Sequence, residues 1–210
     1  MKEAVKEINR QRIARLAKKL EEHNFGVTAV ETAQEAFEFL KREIPKHSTI
    51  GTGGSVTLDE LGVIDWLTGN PDYQFLDRFH TDDRKKIFHE SLLADVYLTS
   101  TNAVTMDGML YNVDGTGNRL AALIYGPDKV YVIAGVNKIV PDLEAAKQRV
   151  ENHTAPANCV RLKKDNPCVK IGECAHCNLA TTICNQYVIT RRSGEKGRIH
   201  VILVNEELGY

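Results

Sequence analysis

The sequence predicts an α/β fold, a largely parallel sheet flanked by helices, ending in an irregular cysteine-bearing segment and a hairpin. Strand-like apolar runs alternate with segments of helical period as far as Val150, and polar or glycine-rich loops follow those runs. Parallel sheets place their ligand sites in such loops. Size agrees, because 210 residues of which 42% are hydrophobic can bury a sizeable core.

The elements follow in order. Residues 2–23 space Val5, Ile8, Ile13, Leu16, Ala17 and Leu20 at helical period, with Lys, Arg and Glu on the other face. This is an amphipathic surface helix; Glu3, Glu7, Glu21 and Glu22 interrupt its basic residues and no aromatic is interleaved, so the face is solvated rather than RNA-binding. Residues 26–30 form a short strand, and Thr32-Ala-Gln-Glu35 is a capping box opening a second helix that Pro45 ends. Residues 48–50 lead into a glycine loop, then come a helix over 58–67, an irregular aromatic stretch with Pro71, and a helix over 82–93. Strands are expected at 96–99, 109–113 and 130–134, and a helix at 142–150. The cysteine segment shows little periodicity, and residues 187–191 and 199–204 read as a hairpin around Ser193-Gly194-Glu195-Lys196-Gly197. Residues 1–210 are expected to form one domain, with 155–185 as a Cys-rich segment within it.

Charge narrows the partners. The chain has 27 Lys plus Arg against 28 Asp plus Glu, a formal net charge of -1, which excludes a global electrostatic footprint for nucleic acid or a membrane surface. No apolar run approaches the roughly 20 residues of a membrane helix, and the N-terminus carries charge where a signal peptide is apolar. The expectation is a cytoplasmic protein with a small-molecule ligand, no nucleic-acid partner and no membrane insertion.

Three segments can carry chemistry. Gly51-Thr52-Gly53-Gly54-Ser55-Val56-Thr57 follows a strand and precedes a helix, so its backbone N–H groups and hydroxyls can cradle a phosphate or carboxylate. It is neither the dinucleotide fingerprint nor a Walker loop, and it also reads as a tight turn in which Ser55 or Thr57 merely caps. In the stretch 100–119, Asp-Gly occurs at Asp107-Gly108 and again at Asp114-Gly115, and each pair can be a hairpin turn. The density of Asn102, Thr105, Asp107, Asn112, Asp114 and Asn118 nevertheless exceeds what two turns require, and Asn118-Arg119 opens a helix whose N-terminus favours an anion. Lys138, after the strand over 130–134, can offer an ammonium to an anionic group, or be an ordinary loop lysine.

The cysteines form the third segment. All five, Cys159, Cys168, Cys174, Cys177 and Cys184, fall after residue 158, an odd number in a reducing compartment that argues against a disulfide framework. Cys168, Cys174, Cys177 and Cys184 can hold a tetrahedral zinc or an iron-sulfur cluster, although their spacing matches neither two close pairs nor a ferredoxin run. Reactive or redox-switching thiols and buried structural cysteines are the alternatives. Cys159 is left outside this set.

The strings GTGGSVTLDELG, TNAVTMDGMLYNVDGTGNRLAA with GPDKVYVIAGVNKIV, and APANCVRL with PCVKIGECAHCN and the trailing IC, in this order, resemble the LUD (lactate utilisation) domain family from about residue 5 to residue 191. The resemblance implies the fold of the ribose-5-phosphate isomerase and CoA-transferase superfamily, with a site at the strand ends. More distantly, the stretch 102–116 is similar to that of methylthioribose-1-phosphate isomerases, in which Asp107-Gly108 and Asn112 match an Asn-Gly and an Asn. Those isomerases carry a catalytic Asp at the place of Asn102, and an amide cannot act as a general acid or base.

The resemblance implies a component of lactate or related 2-hydroxyacid utilisation, binding a small anionic metabolite. A possible iron-sulfur cluster is the implied cofactor, with zinc or none as alternatives. Oxidoreductase subunits and a second copy of the chain, as a homodimer, are candidate partners. In the rival expectation the chain is a non-redox enzyme or sensor for a phosphorylated metabolite or CoA ester, with structural cysteines. Asp107, Asn102 and Lys138 are the candidate catalytic residues. Gly53, Gly54, Ser55, Thr57, Asn112, Asp114 and Asn118 are candidates for anion and substrate binding, and Cys168, Cys174, Cys177 and Cys184 for metal.

Overall fold

A computed structural model of the protein describes residues 2–210. Helix α1 (Glu3–Glu22) turns Ile13, Leu16 and Leu20 inward, whereas Val5 and Ile8 remain exposed, so its apolar stripe is shorter than the sequence pattern suggested. After Asn24, in the left-handed region at φ 63°, the chain enters β1 (Gly26–Val30). Helix α2 (Ala33–Glu43) begins with Thr32 accepting the Glu35 N–H at 3.2 Å, while the Glu35 carboxylate accepts the Glu31 N–H at 2.8 Å. This is the predicted cap, with its return bond displaced by one residue.

Strand β2 (Thr49–Thr52) leads through the glycine loop to α3 (Val56–Glu60) and α4 (Val63–Leu67). These two replace the single helix expected over 58–67, because Gly62 adopts φ 72°, a left-handed turn that ends one helix and starts the next. Strand β3 (Gln74–Phe75), helix α5 (Arg84–Glu90) and a 3-10 turn over Ser91–Leu93 precede β4 (Val96–Ser100). Then come β5 (Ala103–Thr105), β6 (Leu110–Asp114), α6 (Asn118–Ile124), β7 (Lys129–Gly135), β8 (Ile139–Val140) and α7 (Leu143–Arg149). A π-helical turn over Val150–Thr154 joins α7 to α8 (Ala155–Arg161), and α9 (Pro167–Ile171) is followed by irregular chain, β9 (Gln186–Thr190) and β10 (Ile199–Val204).

Six strands form one sheet in the order β1-β10-β7-β4-β2-β3, every pair parallel. Its middle strands are apolar on both faces. Val130, Val132 and Ala134 of β7 and Val201 and Leu203 of β10 pack in the core layer that includes Leu16 and Leu20 of α1. Tyr131, Ile133, Ile202 and Val204 pack in the opposite layer with Ala36 and Leu40 of α2 and Leu58 of α3. Strands buried on both faces read as continuous apolar runs, as an all-parallel sheet requires.

A second, four-stranded sheet has the order β8-β5-β6-β9 and is mixed. In it β5 and β6 form a hairpin whose turn is Asp107-Gly108, with Gly108 at φ 85°. The hairpin expected over 187–191 and 199–204 does not form. Strand β9 pairs antiparallel with β6, whereas β10 lies parallel between β1 and β7 in the larger sheet. The glycine-containing connection is instead tied to the end of α1, with Ser193 N–H donating to His23 O at 3.0 Å and Gly197 N–H to Asn24 O at 2.8 Å. No helix among the described residues is long and apolar enough to cross a membrane.

Candidate functional site: a polar cleft at the strand ends

Strands β7, β4 and β2 are adjacent and parallel, so the chain leaves all of them at one edge of the sheet. Residues 53–57 follow β2, Thr101 and Asn102 follow β4, and Lys138 follows β7. They surround a cleft of about 490 Å³, counted to its open mouth, whose lining also includes Asp114, Arg119, Arg161 and Tyr210. Gly53 permits the approach behind it: a Cβ there would lie 2.9 Å from Thr99 Oγ1 and 3.0 Å from Arg119 Cδ. Gly54, Ser55 and Thr57 face the cleft itself.

Arg119 holds the loops together. Its Nε donates to Asp114 Oδ1 at 3.1 Å, one terminal nitrogen to Ser100 O at 3.1 Å and Asn112 Oδ1 at 2.6 Å, and the other to Asn102 Oδ1 at 3.2 Å and Val113 O at 3.0 Å. A guanidinium has five N–H donors, and here each is used within the protein. Its contribution to a ligand is therefore charge, while its hydrogen bonds fix β4, β6 and α6 relative to one another. Truncating it would leave the fully buried Asn112 and the Asp114 carboxylate without their cation, a loss of about 3–5 kcal/mol. Asp114 retains a second oxygen, Oδ2, that is buried and has no hydrogen-bond partner among the described residues.

Lys138 is 2% exposed, and its Nζ lies 2.8 Å from both Thr57 Oγ1 and Ser100 Oγ. Burial and the like charges of Arg149 and Arg119 lower it from 10.5 to about 7. With Lys138 protonated the lining carries three cationic side chains, Lys138, Arg119 and Arg161, against one acidic side chain, Asp114, which Arg119 already pairs. With Lys138 neutral there remain two cationic side chains against one acidic one.

The cysteines line a second cavity, behind α8. Cys159, Cys168, Cys174, Cys177 and Cys184 all border it, together with His176 and Tyr187. Cys159 therefore belongs with the other four, a correction to its expected isolation; it is the acceptor of an Asn166 side-chain N–H at 3.5 Å. All five are free thiols. Burial, with Cys159 next to it, pushes Cys168 up to about 11, and burial among the other sulfurs pushes Cys184 up to about 12. Soft sulfur donors suit a thiophilic metal, but among the described residues no three His, Cys, Asp or Glu side chains are arranged to hold one ion. As placed, the thiols do not fit a zinc ion or an iron-sulfur cluster.

The model of the LUD domain matches residues 13–204. The chain belongs to the LUD domain family. No curated protein matches it. Among solved structures, this LUD domain is similar to a DUF162 family protein from Deinococcus radiodurans, with 16% sequence identity, a TM-score of 0.54, and coverage of 93% of this chain and 98% of that one. The likeness is one of fold.

Within this LUD domain the expected site residues divide into three groups. Gly54, Ser55, Thr57, Asn102, Asp114 and Lys138 line the cleft. Gly53 and Asn112 lie behind it against Arg119. Asp107 and Asn118 are not part of the lining. Asp107 sits in the turn at the far end of the β5–β6 hairpin, where its carboxylate accepts from Thr105 Oγ1 and the neighbouring Gly108 carbonyl meets His23 Nδ1 at 2.9 Å. Its Asp-Gly pair is thus turn chemistry, while Asp114-Gly115 leads into α6 and leaves Asp114 at the site.

Arg119, Ser100, Thr101, Asn158, Arg161 and Tyr210 were missed as site residues. The rule that parallel sheets bind ligands after their strands would have found Ser100 and Thr101. Nothing local in the sequence points to Arg161 or Tyr210, which reach the cleft from α8 and from the stretch after β10.

Proposed function

We propose that the cleft binds a small carboxylate of the 2-hydroxyacid or 2-oxoacid class, and that the chain is a component of lactate or related 2-hydroxyacid utilisation. The excess of cationic over acidic side chains in the lining carries this reading. Family membership supports it, since the LUD domain family implies a role in lactate utilisation. The ligand carboxylate neutralises the surplus positive charge near Arg161, and the hydroxyl of Ser55 is at hand to orient it. Asp114 Oδ2, buried without a partner, is the acceptor for a ligand hydroxyl. No step of this reading passes through a metal or cluster.

Thermal-shift titration with L-lactate, pyruvate, inorganic phosphate, a pentose phosphate and a CoA ester tests it. A saturable stabilisation by the carboxylates is expected, about 2.7 kcal/mol at 100 times the dissociation constant. A response confined to the phosphorylated compounds or the CoA ester would replace this reading with that of a phosphorylated-metabolite or CoA-ester protein.

A further inference from the structure

We propose that Lys138 is a nucleophilic amine that forms an imine with a small 2-oxo acid held in the cleft. This rests on the carboxylate-binding reading above and adds a reaction to it.

Ser100 Oγ donates to Ile133 O at 2.7 Å, and Thr57 Oγ1 donates to Leu208 O at 3.3 Å. Each hydroxyl hydrogen is thus committed to a backbone carbonyl, so at 2.8 Å from Lys138 Nζ both oxygens must accept. A neutral amine has two N–H bonds, and these two acceptors take both of them. Neither neighbour donates to its lone pair, and Lys138 is part of the cleft lining.

Nothing nearby forces the amine to remain an ammonium. Among the described residues no carboxylate lies within ion-pair distance of Nζ; the charges that act most strongly on it, Arg149 and Arg119, are positive, and the Glu60 carboxylate opposes them more weakly. Burial acts in the same direction, and at about 7 the free base is well populated at neutral pH. Arg161 remains in the cleft to hold the acid's carboxylate, so the amine is free for the carbonyl.

The step balances without a further reactant. Lys138 Nζ attacks the carbonyl carbon at C2, giving a carbinolamine. The carbon–oxygen bond then breaks, the oxygen leaves as water with the two amine hydrogens, and a carbon–nitrogen double bond remains. No electrons are exchanged with another molecule. Protonated, this imine draws electrons from the bonds next to C2, which is the use enzymes make of lysine imines.

Reduction with sodium borohydride in the presence of pyruvate, followed by intact mass and peptide mapping, tests the proposal. The expected result is a single reduced pyruvyl adduct, located on Lys138, saturable in pyruvate, suppressed by competing L-lactate and absent when L-lactate replaces pyruvate. Lys138→Arg should abolish it, and mapping on the unaltered protein gives the same answer if that variant does not fold. No adduct, or adducts spread over surface lysines and unchanged in Lys138→Arg, would overturn the proposal. Stabilisation by pyruvate without an adduct removes the amine's role and leaves the carboxylate reading standing. Absence of stabilisation by both pyruvate and L-lactate removes both.

Discussion

A buried ammonium is costly unless an opposite charge offsets it, and around Lys138 the strongest influences are burial and two arginines. The pH dependence follows from its two titration points, 10.5 in the unfolded chain and about 7 in the fold. Between them the unfolded state holds a proton that the folded state lacks, so stability rises with pH across that window. Below about 7 both states are protonated and the full burial cost is carried. Lys138→Met should therefore be more stable than the natural protein at pH 6 by on the order of a few kcal/mol, with the gap closing toward pH 10. Denaturant midpoints across that range would measure it, and a gap independent of pH would refute the account. At this scale the sequence was partly legible. Lys138 and the glycine loop could be found because each follows a strand, whereas Arg119 reads as an ordinary helix residue until five acceptors from β4, β6 and the loop after β4 are seen around it.

Helix α8 is the element that ties the two cavities together. Asn158 and Arg161 face the polar cleft, while Ala155 and Cys159 face the cysteines. The irregular segment expected over 155–185 is helical in α8 and α9, and Pro156 falls just after the π-helical turn at which the continuous helix already departs from α geometry. Its sequence hid this because each helix is too short to display a period. Since the thiols are not assembled into a ligand set and lie beyond α8, replacing Cys174 and Cys177 together by Ser should leave pyruvate affinity within about twofold, a change under 0.5 kcal/mol. Calorimetric titration of the double variant measures this. A tenfold loss would tie the cleft to the state of the cysteines.

Across the whole molecule, the parallel sheet was legible wherever apolar runs alternated with helices, and β7 could be recognised from 130–134 alone. Strand β10 was legible as a strand but was assigned the wrong neighbour. Two apolar runs flanking a glycine-containing loop have the local look of a hairpin, but β10 pairs along its length with β1 and β7 and the loop is bonded to His23 and Asn24. The run Ile199–Val204, nearly all buried, is the mark of an interior strand rather than of a half-exposed hairpin arm. Ending the chain before Ile199 would leave β1 and β7 without the strand between them. Such a truncated protein should show no cooperative thermal transition and should bind a hydrophobic dye, and a sharp unfolding transition would contradict this.

That central place of β10 bears on how the protein is made. A ribosome releases β1 and β7 long before it releases the strand that bridges them, and β10 pairs with residues as distant as Gly26. Until β10 has emerged, β1 has no parallel partner, and two unpaired strand edges with their apolar faces wait for it. Pairings this remote are slow to form and exposed to aggregation while they wait. The larger sheet is thus completed only once a strand more than 160 residues after β1 has joined it, and every contact that β10 makes with β1 spans that distance.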